Sequence, residues 1–208
     1  MAREAFEEHW RTRHAELVVR LPGIRRYVQN YPLASACCSG EPAFDAVAES
    51  SFDDTQAMKA LAQTPEYAAV LADEPNFIDR ANMNSIITEE HVVKDGPAPA
   101  GGVKSIGFIS RKARMPIDEF FRRWLEEGSQ SAQLQAVRRY VQCHTRRSIY
   151  DSGRTPAYDG VSMAWFDGLQ ALREAVKTKE YLRLMAEVEN LAATERSQSV
   201  LARERVLA

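Results

Sequence analysis

Apolar residues recur at helical spacing near the start of the chain and then alternate with polar residues, which predicts a helix followed by a strand. The apolar positions of one helical face within 3–20 and just beyond it are Phe6, Trp10, Leu17 and Leu21. Pro22-Gly23 ends this helix, and 24–31 alternates as a strand. Further strands are predicted at 44–52 and 83–93. Helices are predicted after Asp53 or Asp54 and after Thr64, both of which are good N-cap types.

The same pattern occurs twice along the chain. The segment 25–29, Arg-Arg-Tyr-Val-Gln, returns unchanged as 138–142. Most other matching residues, such as Trp10 and Trp124, are 114 positions apart. Around the shared segment the separation falls by one residue, and further along the chain it returns to 114. This period is too long for a solenoid repeat of roughly 20 to 50 residues, so each copy is expected to be a small domain.

The second copy opens with an alternating segment, 103–110, that reads as a strand before its helix. The first copy has no such strand, because Met1 aligns with Met115, and an absent N-terminal segment is the favoured explanation. The predicted organisation is a first domain at 1–93, a Pro- and Gly-rich linker at 94–102 and a second domain at 103–208.

The second copy has the predicted order strand, helix, strand, strand, helix, strand, which is the ferredoxin-like order. The expected fold class is therefore α+β, with two tandem ferredoxin-like domains. A sheet that carries helices on only one side leaves its other face to be covered. Packing the two sheets against each other would cover both faces and enclose a central space lined by strand residues.

Composition restricts the class of protein. Of the 208 residues, 45% are hydrophobic and 27% charged, which is ordinary for a globular protein. A net charge of −2 gives no general electrostatic reason to bind nucleic acid or an anionic membrane. No apolar run approaches the roughly 20 residues of a membrane span, so a cytoplasmic location is expected by default. Cys37, Cys38 and Cys143 are too few and too poorly spaced for a disulfide framework or a zinc site.

His9 and His14 are the sharpest candidates for chemistry, because an imidazole exchanges protons near neutral pH. Five residues of α-helix place them about 140° apart, so they are expected on opposite borders of the apolar stripe. The second copy has Arg123 and Gly128 at the matching positions. These losses predict that chemistry belongs to the first copy.

Glu49 is a second candidate acid or base. It lies on a predicted strand whose counterpart in the second copy carries Met163 and Trp165, an apolar and aromatic pattern that suits a pocket wall. A carboxylate in such a place can exchange protons near neutral pH. The alternative is a structural ion pair with Arg25, Arg26 or another cation.

Tyr27 and Gln29 recur as Tyr140 and Gln142 and are expected on the inner face of the sheets, where they pack or orient a ligand. His144 continues that face but stands near the strand end, so either a pocket position or exposure is expected. His91, on the last strand of the first copy, is expected to be structural or exposed. No GxGxxG, P-loop, HExxH, GxSxG or CxxC motif occurs, and no cofactor is predicted.

The segment from Phe6 to Leu17, the following Leu21-Pro22-Gly23-Ile24-Arg25-Arg26-Tyr27, and the later Phe44–Glu49 and Phe52-Asp53 resemble the EthD family. His14 matches the more characteristic histidine of the family pattern. The resemblance implies a dimeric α/β barrel with a central pocket, formed here within one chain and open to further homodimerisation. The wider superfamily contains cyclases, dehydratases, isomerases and cofactor-free monooxygenases, so fold alone does not choose the reaction.

The leading hypothesis is a cofactor-independent lyase or isomerase that carries out dehydration, cyclisation or isomerisation on a small hydrophobic or aromatic molecule. His14 would be the principal acid or base, with Glu49 as its partner and His9 as a further catalytic group. The expected substrate-binding residues are Tyr27, Gln29, Tyr140, Gln142, His144, Met163 and Trp165. The alternatives are a non-catalytic barrel that sequesters a hydrophobic metabolite and a cofactor-free monooxygenase.

Overall fold

A computed structural model describes residues 1–34 and 41–208, and it divides the chain into two compact units. The first unit comprises Met1–Pro32, Phe44–Asn84 and Glu204–Ala208. The second comprises Ser85–Arg203 and the described part of 33–43. Both units combine helices with antiparallel strands, which confirms the α+β class.

The first unit begins with a helical segment that changes its winding part-way. Helix α1 (Arg3–His9) passes into a π-helical turn (Trp10–His14) and then into α2 (Ala15–Val18). The later elements of the unit are β1 (Arg26–Pro32), β2 (Val47–Ser51), α3 (Thr55–Ala60) and α4 (Pro65–Asp73). The last two helices start at predicted caps: the Asp54 carboxylate accepts from two backbone N–H groups, and Thr64 Oγ1 accepts from the Tyr67 N–H.

Strands β1 and β2 pair in antiparallel register, with Val28 opposite Glu49 and Tyr27 opposite Ser50. The chain returns to this unit at its C-terminus, where the Leu207 N–H donates to the Tyr27 carbonyl at 2.9 Å. Tyr27 is 1% exposed and packs in a core that it shares with residues of the helices. The buried members of this core are Ala15, Val18, Leu21, Tyr27, Leu61 and Val70.

The second unit contains a complete ferredoxin-like set of elements. These are β4 (Val103–Ile109), α5 (Ile117–Ser131), β5 (Arg139–Thr145), α6 (Arg147–Asp151), β6 (Gly160–Phe166), α7 (Leu169–Ala175), α8 (Lys179–Leu191) and β7 (Gln198–Val206). Strand β4 lies between β7 and β6, and β6 pairs with β5, all antiparallel. The predicted leading strand of the second copy is therefore confirmed.

Strand β3 (Thr88–Lys94) belongs by sequence to the end of the first copy but spatially to the second unit. It pairs antiparallel with β5, with His91 opposite Gln142. In the second copy the corresponding last strand, β7, pairs with the leading strand β4, and the first copy shows no leading strand among the described residues. The edge of β5 supplies the hydrogen-bond partners that β3 needs. The spatial division therefore differs from the expected boundary at 94–102.

No helix in the described ranges 1–34 and 41–208 has both the length and the apolar character needed to cross a bilayer.

Candidate active site

The π-helical turn brings His9 and His14 to the same carboxylate. His9 Nε2 lies 3.0 Å from both carboxylate oxygens of Asp73, and His14 Nδ1 lies 3.0 Å from Asp73 Oδ2. The prediction that the two histidines lie on opposite borders of the helix is wrong, because it assumed uniform α-helical winding. A π turn is wider than an α turn, so residues five apart come to share a face.

Asp73 is the centre of this group. It is the last residue of α4 and only 3% exposed. Besides the two imidazoles, Arg13 Nε lies 3.2 Å from Asp73 Oδ1, and Asn76 Nδ2 donates to the same oxygen at 3.3 Å. A buried carboxylate with several donors is stabilised in its ionised form. The negative charge of Asp73 is therefore surrounded by hydrogen-bond donors.

The protonation of these groups follows from their contacts. Burial alone would raise the pKa of Asp73, but hydrogen bonds from His9, His14 and Asn76 outweigh it and leave the pKa below its ordinary value. An ionised carboxylate only accepts, so His14 Nδ1 carries the proton and Nε2 is the basic nitrogen. Burial lowers the pKa of His14, and the nearby Asp73 opposes this without cancelling it. His14 is thus neutral at neutral pH.

Aromatic rings surround the imidazoles. The Phe77 ring centroid lies 4.8 Å from that of His9 and 4.7 Å from that of His14. Phe6 contacts both Phe77 and Trp10. Phe77 is 9% exposed and is followed by the exposed residues 79–85. His14 therefore combines a basic nitrogen with apolar surroundings, which suits proton transfer to or from an apolar molecule.

The two copies differ by one residue within the first helix. The burial pattern of the first copy runs Phe6, Trp10, His14, Ala15 and Val18, of which Phe6 is half-buried and the others are buried. The buried residues of α5 are Phe120, Trp124, Glu127, Gly128 and Ser131. The two patterns differ only after the tryptophan. The next buried residue follows it after four positions in the first copy (His14) and after three in the second (Glu127). The extra residue of the first copy is therefore accommodated in the π turn.

This register change corrects the expected partner of His14. The structural counterpart of His14 is Glu127, and Gly128 corresponds to Ala15. A Cβ at Gly128 would lie 2.5 Å from Gln142 Nε2, so the Gln142 amide would have to shift to admit one. Asp73 corresponds to Glu187 at the usual separation of 114. The second copy thus replaces a histidine and a carboxylate by two carboxylates.

Gln29 and Gln142 make the same contacts in their respective copies. Gln29 Nε2 donates to the Trp10 carbonyl at 2.6 Å and to the Tyr27 hydroxyl at 3.3 Å. Gln142 Nε2 donates to the Trp124 carbonyl at 2.8 Å and to the Tyr140 hydroxyl at 3.3 Å. Both glutamine side chains are fully buried. Each amide ties its strand to a helical carbonyl oxygen, which is a structural contact.

These tyrosines and glutamines do not share a sheet face with Glu49. Tyr27 packs against helices, whereas Glu49 stands opposite Val28 and so points to the other side of the sheet. The expectation that Tyr27 and Gln29 lie on the inner face with Glu49 is therefore wrong. The same holds for Tyr140 and Gln142, whose hydroxyl and amide point toward α5, whereas Val141 is the residue that pairs with Met163.

Glu49 is held by two neighbours on β1. Asn30 Nδ2 donates to Glu49 Oε1 at 2.6 Å, and Arg26 Nη1 lies 3.7 Å from Oε2. These contacts match the alternative of a structural carboxylate with a cationic neighbour. The acid group that the structure places against His14 is Asp73, not Glu49.

His144 is buried in the second unit rather than exposed. Its ring stacks on Phe121 at 4.6 Å and on Trp124 at 4.7 Å, and His91 lies 4.3 Å away. His144 Nε2 contacts Gln142 Oε1 at 3.1 Å. Burial, with a smaller effect of His91, lowers the pKa of His144 to about 4. His144 is therefore a neutral donor that fixes the Gln142 amide.

Met163 and Trp165 lie on the sheet face opposite to Tyr140. Both are 3% exposed. Lys104 Nζ stands 4.4 Å from the centroid of the Trp165 ring, and the Arg139 guanidinium lies 5.7 Å from it. This face of β6 is thus aromatic with cationic neighbours rather than purely apolar.

The residue that sequence reasoning missed is Asp73. It lies 59 positions after His14, and its only sequence signal is a position at the end of an amphipathic helix. Within the described ranges, no cluster of three His, Cys, Asp or Glu has the geometry to hold a metal ion. A surface cavity of about 310 Å³, lined by Lys112, Ala113, Glu189 and 192–195, contains none of the predicted site residues. Cys37 and Cys38 lie outside the described residues, and Cys143 is buried.

The chain matches the EthD domain twice, over residues 1–81 and 112–195. These matches cover more than half of the sequence, so the chain belongs to the EthD family, as a tandem duplication. No curated protein matches the sequence significantly.

Several solved structures share the fold. A protein from Lactobacillus acidophilus, provisionally named a monooxygenase, is 12% identical with a TM-score of 0.60, over 99% of this chain and 90% of its own. A similarly named protein from Fusobacterium nucleatum is 9% identical with a TM-score of 0.65, over 98% and 86%. An anthrone oxidase-like protein is 11% identical with a TM-score of 0.64, over 98% and 88%. At these identities the likeness shows the fold alone.

Proposed function

We propose that this protein is a cofactor-independent enzyme in which His14 is the general base and Asp73 orients it. The observation that carries the proposal is the buried contact of 3.0 Å between His14 Nδ1 and Asp73 Oδ2. It leaves Nε2 as the basic nitrogen, and no hydrogen bond from a described residue reaches that atom. An imidazole fixed by a carboxylate in this way is a standard arrangement for proton abstraction.

The proposed reaction begins with removal of a proton from a carbon atom next to a carbonyl or aromatic system. The C–H electron pair stays on the substrate and is delocalised into its own carbonyl, while the proton moves to His14 Nε2. Asp73 stabilises the resulting imidazolium. Return of the proton to another carbon completes an isomerisation, and its delivery to a leaving hydroxyl completes a dehydration. The aromatic side chains of Phe6, Trp10 and Phe77 around the imidazoles favour a small hydrophobic or aromatic substrate.

His9 supports this arrangement rather than replacing it. Its Nε2 donates to both oxygens of Asp73, so it holds the carboxylate in place and is itself unavailable as a base through that atom. Glu49 is held by Asn30 and Arg26 on β1, and the first proton transfer proposed here does not use it. We assign the partner role expected of Glu49 to Asp73.

A cofactor-free monooxygenase is the second candidate, and the names given to the structural neighbours favour it. The same base would form the same carbanion, which would then react with O2. A CH2 group would become a carbonyl group, one oxygen atom would enter the product, and the other would leave as water. The first step is shared, so His14 and Asp73 are required by both reactions.

The test is incubation of the purified protein with anthrone and a panel of aromatic 1,3-dicarbonyl compounds, followed by mass spectrometry and oxygen measurement. A new isomer of unchanged mass indicates isomerisation, and a product that has lost water indicates dehydration. A product that has gained oxygen while O2 is consumed indicates oxygenation. His14→Gln and Asp73→Asn are expected to reduce turnover by about 10²- to 10⁴-fold, the usual contribution of a general base. His91→Gln is the control, because His91 belongs to the other unit.

Full activity in His14→Gln would refute the assignment of the base. Binding of these compounds by the wild-type protein without any chemical change would instead favour a sequestering protein.

A further inference from the structure

The position equivalent to His14 in the second copy is a buried carboxyl group. Glu127 follows Trp124 on the buried face of α5 and is 9% exposed. Its Oε2 atom is buried, and no described residue lies within hydrogen-bond distance of it. An ionised carboxylate in such a place would lack the donors that normally stabilise it. The sequence had predicted that chemistry belongs to the first copy.

The charged neighbours of Glu127 are mostly of the same sign. Arg123 and Glu126 flank it on α5, Glu187 faces it from α8, and the Tyr140 hydroxyl approaches from β5. Arg123 is the single positive group in this set, and its guanidinium is hydrogen-bonded to Glu119. Two carboxylates on facing helices and one engaged cation favour the loss of one negative charge by protonation.

We propose that Glu127 is a second proton-exchange site of this protein, which holds its proton up to near-neutral pH and can donate it. The helix position that carries a neutral base in the first copy thus carries a neutral acid in the second. Donation breaks the carboxyl O–H bond, passes the proton to an acceptor oxygen or to water, and leaves a carboxylate that Arg123 partly neutralises. This proposal stands apart from the role of His14 and does not require it.

The electrostatics of the site agree with this geometry. Burial raises the pKa of Glu127 to about 7, Arg123 opposes the rise, and Glu187 and Glu126 add to it. The folded protein therefore binds the proton more tightly than the unfolded chain, whose pKa is near 4.5. The stability that Glu127 contributes is fully present below that value and is lost as the pH rises through about 7.

The test compares Glu127→Gln with Glu126→Gln in the full chain. Gln keeps the shape of the protonated acid and cannot ionise, so Glu127→Gln is expected to raise the melting temperature by several degrees at about pH 8 and to change it little at about pH 5. Glu126 is exposed on the same helix and adds least to the rise in the pKa of Glu127, so its variant is expected to follow the wild-type pH profile with only a small shift. Equal behaviour of the two variants overturns the proposal.

A second measurement reads the proton directly. The infrared carbonyl band of a protonated carboxylic acid is expected in the wild-type protein at about pH 6, a value at which an ordinary glutamate is ionised. Its midpoint is expected to move to lower pH in Glu187→Gln, because the repelling charge is gone. Absence of the acid band in the wild-type protein at this pH overturns the proposal even if Glu127→Gln fails to fold.

Discussion

At the scale of single residues, the structure assigns a central position to Asp73. Four donors from three other segments meet its carboxylate, and two of them are the histidines that the sequence marks as candidate catalysts. The chemistry of His14 therefore depends on a residue whose own type is unremarkable for the end of a helix.

Replacing Asp73 by Asn is expected to lower the free energy of unfolding by about 1 to 3 kcal/mol at neutral pH, because the buried imidazoles and Arg13 lose their charged acceptor. Since the pKa of Asp73 is lowered in the folded protein, its contribution is present above the ordinary pKa of an aspartate and is lost as the pH falls below it. Urea unfolding at neutral pH and at about pH 3 measures both effects.

Glu66→Gln is the matched control for Asp73→Asn, since Glu66 lies exposed on the same helix. It is expected to change stability by less than about 0.5 kcal/mol. If Asp73→Asn unfolds at the same urea concentration as the control, the carboxylate does not hold the two histidines.

Residue types predicted part of this site but not its geometry. His9 and His14 were found because few side chains exchange protons near neutral pH. Asp73 was missed because a single sequence does not show which of its 29 acidic residues faces a given histidine. Tyr27 and Gln29 were placed on the wrong sheet face, because alternation along a strand says which residues share a face but not which face meets the helices.

At the scale of secondary-structure elements, the π turn at Trp10–His14 explains the slip of one residue between the copies. The slip was visible in the sequence as a change of separation from 114 to 113, but its position between Trp10 and Arg25 was not. A single inserted residue in a helix turns everything beyond it by about 100° unless the insertion is absorbed locally. The π turn absorbs it, so the buried faces on both sides are preserved.

Deletion of Thr12, an exposed residue inside the π turn, is expected to restore regular α-helix without loss of the fold. His9 and His14 would then be four residues apart, about 40° on a helix, and both would still reach Asp73. The melting temperature is expected to change by less than about 3 °C, as circular dichroism measures. The hydrogen-bonded Nδ1 proton of His14 should remain visible by NMR.

Deletion of Glu126 in α5 is the control for this prediction. That helix has no extra residue to lose, so Glu127, Gly128 and Ser131 would turn away from the core. Severe destabilisation of this variant, with little effect of the Thr12 deletion, is the expected contrast. Similar destabilisation by both deletions would contradict the assignment of the inserted residue to the π turn.

At the scale of the whole molecule, two buried groups give stability opposite dependences on pH. The pKa of His144 is lowered to about 4, so the unfolded chain takes up this proton first, and stability is lost as the pH falls from 6.5 towards 4. Glu127 acts in the other direction and removes stability as the pH rises. In the wild-type protein the two slopes partly cancel between about pH 4.5 and 6.5.

His144→Gln is expected to remove the pH dependence of stability that His144 causes, and so to reveal the opposite dependence that Glu127 causes. The amide can still donate to Gln142, and it does not titrate, so the loss of stability on the acid side should shrink by as much as about 3 kcal/mol near pH 4. Thermal unfolding across this range is the measurement. If the variant loses stability towards acid pH as steeply as the wild-type protein, His144 is not the buried neutral histidine described above.

The duplication, the α+β class and the ferredoxin-like order of the second copy could all be read from the sequence, because each depends on patterns that recur along the chain. The pairing of β3 with β5 could not, since a hydrogen-bonding edge leaves little trace in side-chain type. Nor did any local pattern show that the final residues of the chain belong to the first unit.

That last assignment affects how the protein is made. Residues 204–208 are synthesised after the whole of the second unit, yet the first unit uses them to complete the hydrogen bonding of Tyr27. Domains usually fold in the order in which they are synthesised. Here the first unit cannot be completed until the second unit has been synthesised, so its unfinished sheet stays open to chaperones and to wrong partners during that time.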